Sequence, residues 1–164
     1  MRLLVVSDTH GWINPVINYV KSHATSFDGI IHLGDHYRDA VKIGHLLELP
    51  VYAVRGNCDA HSSGPEDLMV ELGGKRVLLT HGHLYGVKYS LLRLHLKAVE
   101  EGVDLVCFGH THVVAQVHEQ GVVLFNPGSA SEPRAGGYPS VGIIEIDGRG
   151  IHTKVVPLLG HSSE

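Results

Sequence analysis

The sequence contains little cysteine, no long apolar run and no cluster of basic residues. Its two cysteines, Cys58 and Cys107, do not form a CxxC pair, which argues against a disulfide framework. No apolar run approaches the ~20 residues that a membrane-spanning helix requires, and the run 3–6 is too short for the core of a signal peptide. We therefore expect a cytoplasmic protein that does not cross a membrane.

The charge is mildly negative, with 13 basic and 17 acidic residues and a net charge of -4. Because the basic residues form no run, the composition does not support long-range attraction to a nucleic-acid backbone. A length of 164 residues is sufficient for one domain with a substantial core, and we expect that domain to span residues 1–164. The 14 histidines are many for this length, and histidine is the commonest metal ligand.

Strands and helices alternate in the first half of the sequence. The first helix is predicted to open with Asn14 as its N-cap and Pro15 at N1, and to run towards His23. The second is predicted over Tyr37–Leu47, with apolar residues that include Val41 at helical spacing. The order β-α-β-α-β predicts a parallel sheet with helices on both faces. In such sheets, ligands bind beyond the carboxyl ends of the strands.

The second half of the sequence predicts hairpins around one further helix. Three pairs of strands are separated by turn residues: 67–72 and 75–80, 115–119 and 122–126, and 141–146 and 151–157. The helix is predicted over 90–101, with Leu92, Leu96 and Val99 on its apolar face and Gly102 as the C′ residue. We expect these strands to form an antiparallel-leaning sheet stacked on the first, and the tail at 160–164 to fray.

Five of the apolar runs end in residues that commonly bind metals. The run 105–108 leads to Gly109-His110-Thr111-His112, whose two imidazoles point the same way in extended geometry. Such a pair alone fits two surface histidines equally well, but four other runs end in a comparable way. Together, the strand ends supply seven candidate ligands: Asp8, His10, Asp35, Asn57, His81, His110 and His112.

Carboxylate, amide oxygen and imidazole together suit borderline or hard divalent ions such as manganese, iron, zinc and nickel. Seven ligands are too many for one tetrahedral site, but they fit two cations that share a bridging carboxylate. We expect Asp35, on a central strand, to be that bridge because its two oxygens can face two cations. A two-metal site stabilises the attacking and leaving oxygens of an in-line phosphoryl displacement and lowers the pKa of a bound water. The pattern therefore indicates hydrolysis of a phosphate ester.

The order of these motifs resembles that of the calcineurin-like metallophosphoesterases, and specifically their small YfcE-type phosphodiesterase branch. That pattern is DxH, GD, GN, H and GHxH, and it occurs here in the same order between Asp8 and His112. The run Asn126-Pro127-Gly128-Ser129, followed by Pro133-Arg134, is also familiar from that branch. The resemblance covers essentially the whole chain. It implies an α/β fold, a four-layer α/β/β/α sandwich of two mixed sheets flanked by helices.

The resemblance also implies ligand sets, cofactors and partners. It assigns Asp8, His10, Asp35 and His112 to one metal, and Asp35, Asn57, His81 and His110 to the other. The expected cofactors are two divalent ions, Mn2+ first, with Ni2+, iron, Zn2+ or Mg2+ as alternatives. The implied reaction is hydrolysis of a small phosphodiester by a metal-bridging hydroxide, with Asp35, Asn57, Cys58 and His81 in the catalytic set. A homodimer or homotetramer is expected from the resemblance alone.

One position departs from many members of the wider family, which have a histidine after the GN asparagine that can protonate the leaving alkoxide. This chain has Cys58 there, as the small branch does. With a reference pKa of ~8.5, a thiol suits that task poorly at neutral pH, so leaving groups that can depart as anions are favoured. The resemblance points the same way, towards phosphodiesters over phosphomonoesters. A small buried filler is an equally good interpretation of Cys58. Its neighbour Asp59 is predicted to hydrogen bond to a ligand.

Two other functions compete with this interpretation. A retromer subunit uses the same fold as a non-catalytic scaffold after losing part of its metal set, whereas all seven ligand positions hold competent side chains here. A nuclease fits the chemistry but not the net negative charge. Surface or supporting roles are predicted for His83, Arg38 and Arg134, although each could line the substrate cleft.

Overall fold

The computed structural model describes residues 1–23 and 26–158, and the predicted tail at 160–164 lies outside them. Five strands form the first sheet: β1 (Arg2–Val6), β2 (Gly29–His32), β3 (Val51–Ala53), β9 (Ser140–Asp147) and β10 (Gly150–Pro157). Their order is β10-β9-β1-β2-β3. The strands β1, β2 and β3 are parallel, as predicted, whereas β9 pairs antiparallel with β1 and β10 with β9.

The second sheet also contains five strands: β4 (Asp67–Leu72), β5 (Lys75–Thr80), β6 (Leu105–Cys107), β7 (Val114–Glu119) and β8 (Val122–Pro127). Their order is β4-β5-β6-β8-β7. The hairpins β4–β5 and β7–β8 are antiparallel, as predicted, but β6 lies parallel to both β5 and β8. Placing the β9–β10 hairpin in this sheet is wrong, because Leu4 of β1 pairs with Ile143 of β9 in the first sheet.

Three α-helices of the described residues, α1 (Asn14–Ser22), α2 (Tyr37–Leu47) and α3 (Leu92–Glu100), cover the outer faces of the two sheets, and a 3₁₀-helix spans His83–Tyr85. On the first sheet, Leu4 of β1 packs in one buried cluster with Val16 of α1 and Ile43 of α2. The inner faces share a second cluster, which includes Val5 and Phe125. The predicted four-layer α/β/β/α sandwich is confirmed. The narrower expectation of helices on both faces of the first sheet is wrong, because its inner face is buried against the second sheet.

The faces of two helices differ from the prediction. In α3, Leu92 is 60% exposed and the buried residues are Leu94, His95 and Ala98, which pack towards the second sheet. These residues also recur at helical spacing, so periodicity alone does not decide which of the two apolar stripes faces inward. In α2, Val41 is 63% exposed.

The helix ends agree with the sequence at one position and differ at another. Gly102 adopts a φ of 61° and its N–H donates to Val99, while the N–H of Val103 donates to Ala98, which is the predicted glycine C-cap. Asn14 is instead the first residue of α1, and Ile13 precedes it without a capping side chain. No helix in the ranges 1–23 and 26–158 is long and apolar enough to span a membrane.

Candidate metal centre

Loops from both sheets meet at one edge of the sandwich, beyond the carboxyl ends of their strands. Backbone hydrogen bonds join them: the N–H of Asp8 donates to Gly34 at 3.0 Å, and the N–H of Gly109 donates to His81 at 3.1 Å. The two sheets are linked directly, because the N–H of His110 donates to Asp8 Oδ2 at 3.1 Å. The predicted convergence of strand ends is therefore present in the fold.

Asp8, His10 and His112 form one cluster, in which one potential ligand atom from each residue lies within 4.8 Å of the others. His112 Nε2 is 3.1 Å from Asp8 Oδ1. Asp8 Oδ1 and His10 Nε2 are buried, and neither has a hydrogen-bond partner among the described residues. Because buried polar atoms are nearly always satisfied, two such orphans facing one space indicate room for a cation.

Asp8, Asp35 and His81 form a second cluster that shares Asp8 with the first. His81 Nε2 lies 3.4 Å from Asp35 Oδ2, 4.0 Å from Asp8 Oδ1 and 3.1 Å from Asn57 Oδ1. Asp35 also faces the first cluster, since its Oδ2 is 4.0 Å from His10 Nε2. Asp35 Oδ2 is therefore near one histidine of each cluster, although the carboxylate that belongs to both clusters is Asp8.

His110 and Cys58 lie outside the two clusters described above. The His110 ring lies 5.0 Å from the His81 ring, but among the described residues His110 belongs to none of the groups whose ligand atoms are mutually within 4.8 Å. Cys58 joins such a group with His10 and Asp35, and its N–H donates to Asp35 Oδ1 at 3.0 Å. Its side chain is exposed, so the buried-filler interpretation of Cys58 is wrong.

The imidazoles are oriented from behind by backbone carbonyls. His81 Nδ1 lies 2.6 Å from the carbonyl oxygen of Leu33, and His112 Nδ1 lies 2.6 Å from that of Glu132. Because a carbonyl can only accept, Nδ1 must carry the proton, which leaves Nε2 as the free lone pair in a neutral ring. In both residues Nε2 faces the clustered carboxylates, an arrangement that suits metal ligation.

The charges of the cluster favour a cation. Burial acts to raise the pKa of Asp8, but His112, His81 and the Ser7 hydroxyl outweigh it and hold that pKa below its ordinary value. The pKa of Asp35 is likewise held far below its usual range, because His81 and Cys58 outweigh the effect of burial. Both carboxylates are therefore ionised at neutral pH and can compensate the charge of bound divalent ions.

Five of the candidate ligands adopt backbone conformations that side-chain-bearing residues rarely adopt. Their φ angles are positive: Asp8 53°, His10 45°, Asp35 42°, His110 69° and His112 58°. Such conformations cost about 1–2 kcal/mol for residues other than glycine. Concentrated strain of this kind is typical of functional sites, where surrounding contacts maintain it.

Two glycines in the predicted motifs are required by close approach. A Cβ on Gly56 would lie 2.0 Å from Asp35 Oδ1, and a Cβ on Gly109 would lie 2.0 Å from Ser7 Oγ. The backbone therefore passes directly against the candidate ligands. This accounts physically for the glycines of the GN and GHxH motifs.

The Asn126-to-Ser129 segment, noted in the sequence only for its resemblance, ties the loops together. Asn126 Nδ2 donates to the carbonyl of Gly109 at 3.0 Å, and Ser129 Oγ donates to the carbonyl of Asp8 at 2.8 Å. Ser131 Oγ donates to the same Asp8 carbonyl at 2.9 Å. Sequence reasoning had no signal for these serine contacts, because hydroxyls in a loop have many possible partners.

Of the residues with predicted supporting roles, His83 and Arg134 contact candidate ligands. His83 lies beside His81 and His110, with ring separations of 5.4 and 6.0 Å. Arg38 is exposed, and so is the side chain of Arg134, whose backbone N–H donates to the carbonyl of His112 at 3.1 Å.

Asp59 fixes two of the candidate ligand loops. Its carboxylate accepts three backbone N–H groups, from Asp35 at 3.0 Å, Tyr37 at 2.8 Å and Gly56 at 2.8 Å. The predicted hydrogen bond between Asp59 and a candidate ligand residue is therefore present, and the backbone N–H of Asp35 donates it.

Asp59→Asn is expected to lower the free energy of unfolding by ~1–3 kcal/mol, because an amide group turns a donor towards at least one of these buried N–H groups. Urea denaturation of the metal-free protein measures this change. Asp28→Asn is the matched control, since the exposed Asp28 carboxylate accepts one N–H from the described residues, that of Arg2 at 2.6 Å. Equal losses in both variants would contradict the supporting role of Asp59.

The comparison with known protein families agrees with this fold and site. Residues 1–149 match the model of the calcineurin-like phosphoesterase superfamily domain, and the chain therefore belongs to that family of metallophosphoesterases. It is 34% identical over 147 residues to the probable metallophosphoesterase YsnB of Bacillus subtilis, covering 90% of this chain and 85% of YsnB. It is 31% identical over 171 aligned residues to the phosphodiesterase YfcE of Escherichia coli, covering 90% and 89%.

Solved structures support the same assignment. A predicted phosphoesterase from Streptococcus pneumoniae superposes with a TM-score of 0.82 at 28% identity, covering 96% of this chain and 89% of that one. Vps29 from Entamoeba histolytica, complexed with zinc, superposes with a TM-score of 0.75 at 22% identity, covering 97% and 100%. At that identity the likeness to Vps29 shows the fold alone.

Proposed function

We propose that this chain is a phosphodiesterase that requires two divalent metal ions and hydrolyses small phosphodiesters. The observation that carries the proposal is the pair of Asp and His clusters that share Asp8, together with Asp35 of the second cluster, whose Oδ2 lies 4.0 Å from His10 of the first. The donor set fits divalent ions, since buried Asp8 Oδ1 and His10 Nε2 lack partners among the described residues. The relationship to a protein named phosphodiesterase supports the choice of substrate class.

The proposed ligand sets differ from the two clusters in the residue they share: the clusters share Asp8, whereas the sets share Asp35, whose Oδ2 is near both His10 and His81. Asp8, His10, Asp35 and His112 would hold one ion, and Asp35, Asn57, His81 and His110 the other. When bound, the ions supply Lewis acidity that lowers the pKa of a water and compensates the charge developing on the phosphoryl oxygens. Mn2+ is our first choice among the divalent ions that mixed carboxylate, amide and imidazole ligands suit, which also include iron, zinc and nickel.

The chain's own groups then determine which esters are cleaved. His81 and His112 turn Nε2 towards the carboxylates, because carbonyls behind them hold Nδ1, and in the neutral rings the Nε2 lone pairs would be available to the metal ions. Cys58 occupies the position from which a proton could reach a leaving group, but its pKa is raised to about 11 by desolvation of the thiol and by Asp35. A thiol of that pKa is a poor proton donor at neutral pH, so esters whose leaving group departs as an anion are favoured.

The test is a comparison of two nitrophenyl esters on metal-stripped protein reconstituted with Mn2+. We expect kcat/KM for bis-p-nitrophenyl phosphate to exceed that for p-nitrophenyl phosphate by about tenfold or more, equivalent to ~1.4 kcal/mol of transition-state free energy. A chelator should abolish both activities. Preference for the monoester would overturn the substrate class. Cleavage of neither ester with Mn2+, Ni2+, Fe2+, Zn2+ or Mg2+ would favour a binding scaffold instead.

A further inference from the structure

A second set of buried polar groups lies directly behind the candidate metal centre, and none of them is a candidate ligand. Thr9 and His32 have no exposed surface, and Asp39 in the first turn of α2 is 3% exposed. Thr9 Oγ1 donates to Asp39 Oδ2 at 2.7 Å and lies 3.1 Å from His32 Nε2. These three side chains therefore form one continuous hydrogen-bonded network between the loop after β1, strand β2 and helix α2.

The direction of every hydrogen bond in this network is fixed by its ends. The backbone N–H of Gly34 donates to His32 Nδ1 at 3.2 Å, so the proton of the neutral ring must be on Nε2. Nε2 then donates to Thr9 Oγ1, and the Thr9 hydroxyl donates to Asp39. The N–H of Gly11 donates to the same Asp39 oxygen at 2.8 Å. Burial keeps His32 neutral by lowering its pKa to about 4.

The hydrogen bonds of Thr9, His32 and Asp39 involve residues that adjoin three candidate ligands in the sequence. Thr9 lies between Asp8 and His10, and Gly11 follows His10 directly. Gly34, at the other end, precedes Asp35. All three of these candidate ligands have positive φ angles, of 53°, 45° and 42° respectively, so their backbone conformation needs support from outside the loops.

We propose that Thr9, His32 and Asp39 are positioning residues that hold loops 8–11 and 34–35 in their metal-binding conformation. Asp39 anchors the loop that contains His10, because its carboxylate accepts hydrogen bonds from both the Thr9 hydroxyl and the Gly11 N–H. The inference rests on the proposed function, since it deepens the account of the same metal centre. It adds three residues that neither the motifs nor the ligand sets include.

The test removes one hydroxyl while keeping the shape of the side chain. In Thr9→Val, the buried Nε2–H of His32 and the carboxylate of Asp39 lose their common partner. We expect at least one Mn2+ dissociation constant, measured by calorimetric titration of the metal-stripped full chain, to rise by about tenfold or more, as removal of groups that orient ligands commonly causes. Thr9→Ser keeps the hydroxyl and should remain within about threefold of the wild type.

Thr153→Val is the matched control, because Thr153 Oγ1 donates to Gln116 Oε1 at 2.9 Å on an exposed surface. Its Mn2+ affinity should equal that of the wild type. Unchanged Mn2+ affinity in Thr9→Val would overturn the proposal, even if thermal unfolding of the metal-free variant showed lower stability. Loss of affinity in Thr9→Ser as large as in Thr9→Val would also overturn it, because the methyl group and not the hydroxyl would then be responsible.

The outcome is distinguishable from failure of the proposed function. A wild-type chain that binds two Mn2+ ions but cleaves neither nitrophenyl ester would refute the phosphodiesterase assignment and leave the effect of Thr9→Val on metal affinity to be judged by itself. A wild-type chain that binds no divalent ion would refute both.

Discussion

Asp35→Ala should abolish phosphodiesterase activity, lowering kcat/KM for bis-p-nitrophenyl phosphate by about 10³-fold or more, as loss of a group essential to charge stabilisation does. Asp35 is 3% exposed and its Oδ2 lies 3.4 Å from His81 Nε2 and 4.0 Å from His10 Nε2. It is therefore the one carboxylate that both proposed ligand sets use. Its removal takes a ligand from each ion and a negative charge from between them.

Two measurements separate a metal-binding role from a purely structural one. Elemental analysis should find fewer than two Mn2+ ions per Asp35→Ala chain after reconstitution, while circular dichroism should report the same secondary structure as the wild type. Asp147→Ala is the control, since that carboxylate is 53% exposed in the β9–β10 turn. An Asp35→Ala protein that kept two ions and a kcat/KM within about tenfold of the wild type would contradict the bridging assignment.

The position of the site was predictable from the sequence because parallel strands fix where their ends meet. The runs before Asp8 and Asp35 form β1 and β2, which lie side by side and parallel. The carboxylates therefore had to emerge at the same edge. The run before His112 forms β6, in the other sheet, and the motif order linked it to them through the family resemblance.

The assignment of strands to sheets was only partly predictable. The β9–β10 hairpin has the same alternation as the hairpins of the second sheet, yet β9 pairs with β1, which is more than 130 residues away in the chain. Hydrophobic pattern specifies which face of a strand is buried, but not which neighbour it pairs with. The prediction of the buried face of α3 was wrong for a similar reason. Leu94 and Leu92 are equally apolar, so hydrophobicity does not show which of them faces the sheet.

The supporting network was not predictable at all. A histidine inside an apolar run, such as His32, fits an ordinary core residue, and Asp39 follows the usual preference for acidic residues in the first turn of a helix. Only the tertiary structure places both within reach of Thr9. Local backbone conformation was equally hidden, since nothing in the sequence indicates positive φ at His10.

Cys58→His should increase cleavage of phosphodiesters with poor leaving groups by about 10²-fold, the lower part of the range for general acid catalysis. The thiol lies in one group with His10 and Asp35, with ligand atoms within 4.8 Å of one another, so a side chain at this position reaches the proposed centre. The wild-type thiol has a pKa raised to about 11, whereas an imidazole titrates near ~6.5 and is a better proton donor at neutral pH.

The informative measurement is a series of aryl methyl phosphodiesters whose phenol leaving groups span a range of pKa. For the wild type, log(kcat/KM) should fall steeply as the leaving-group pKa rises, because the phenolate departs without a proton. In Cys58→His the slope should become shallow, since proton donation removes most of the cost of a basic leaving group. Cys58→Ser is the matched control, because its hydroxyl is of similar size to the thiol and does not act as a general acid at neutral pH. This variant should keep the steep slope. A steep slope in all three proteins would mean that position 58 does not reach the leaving group.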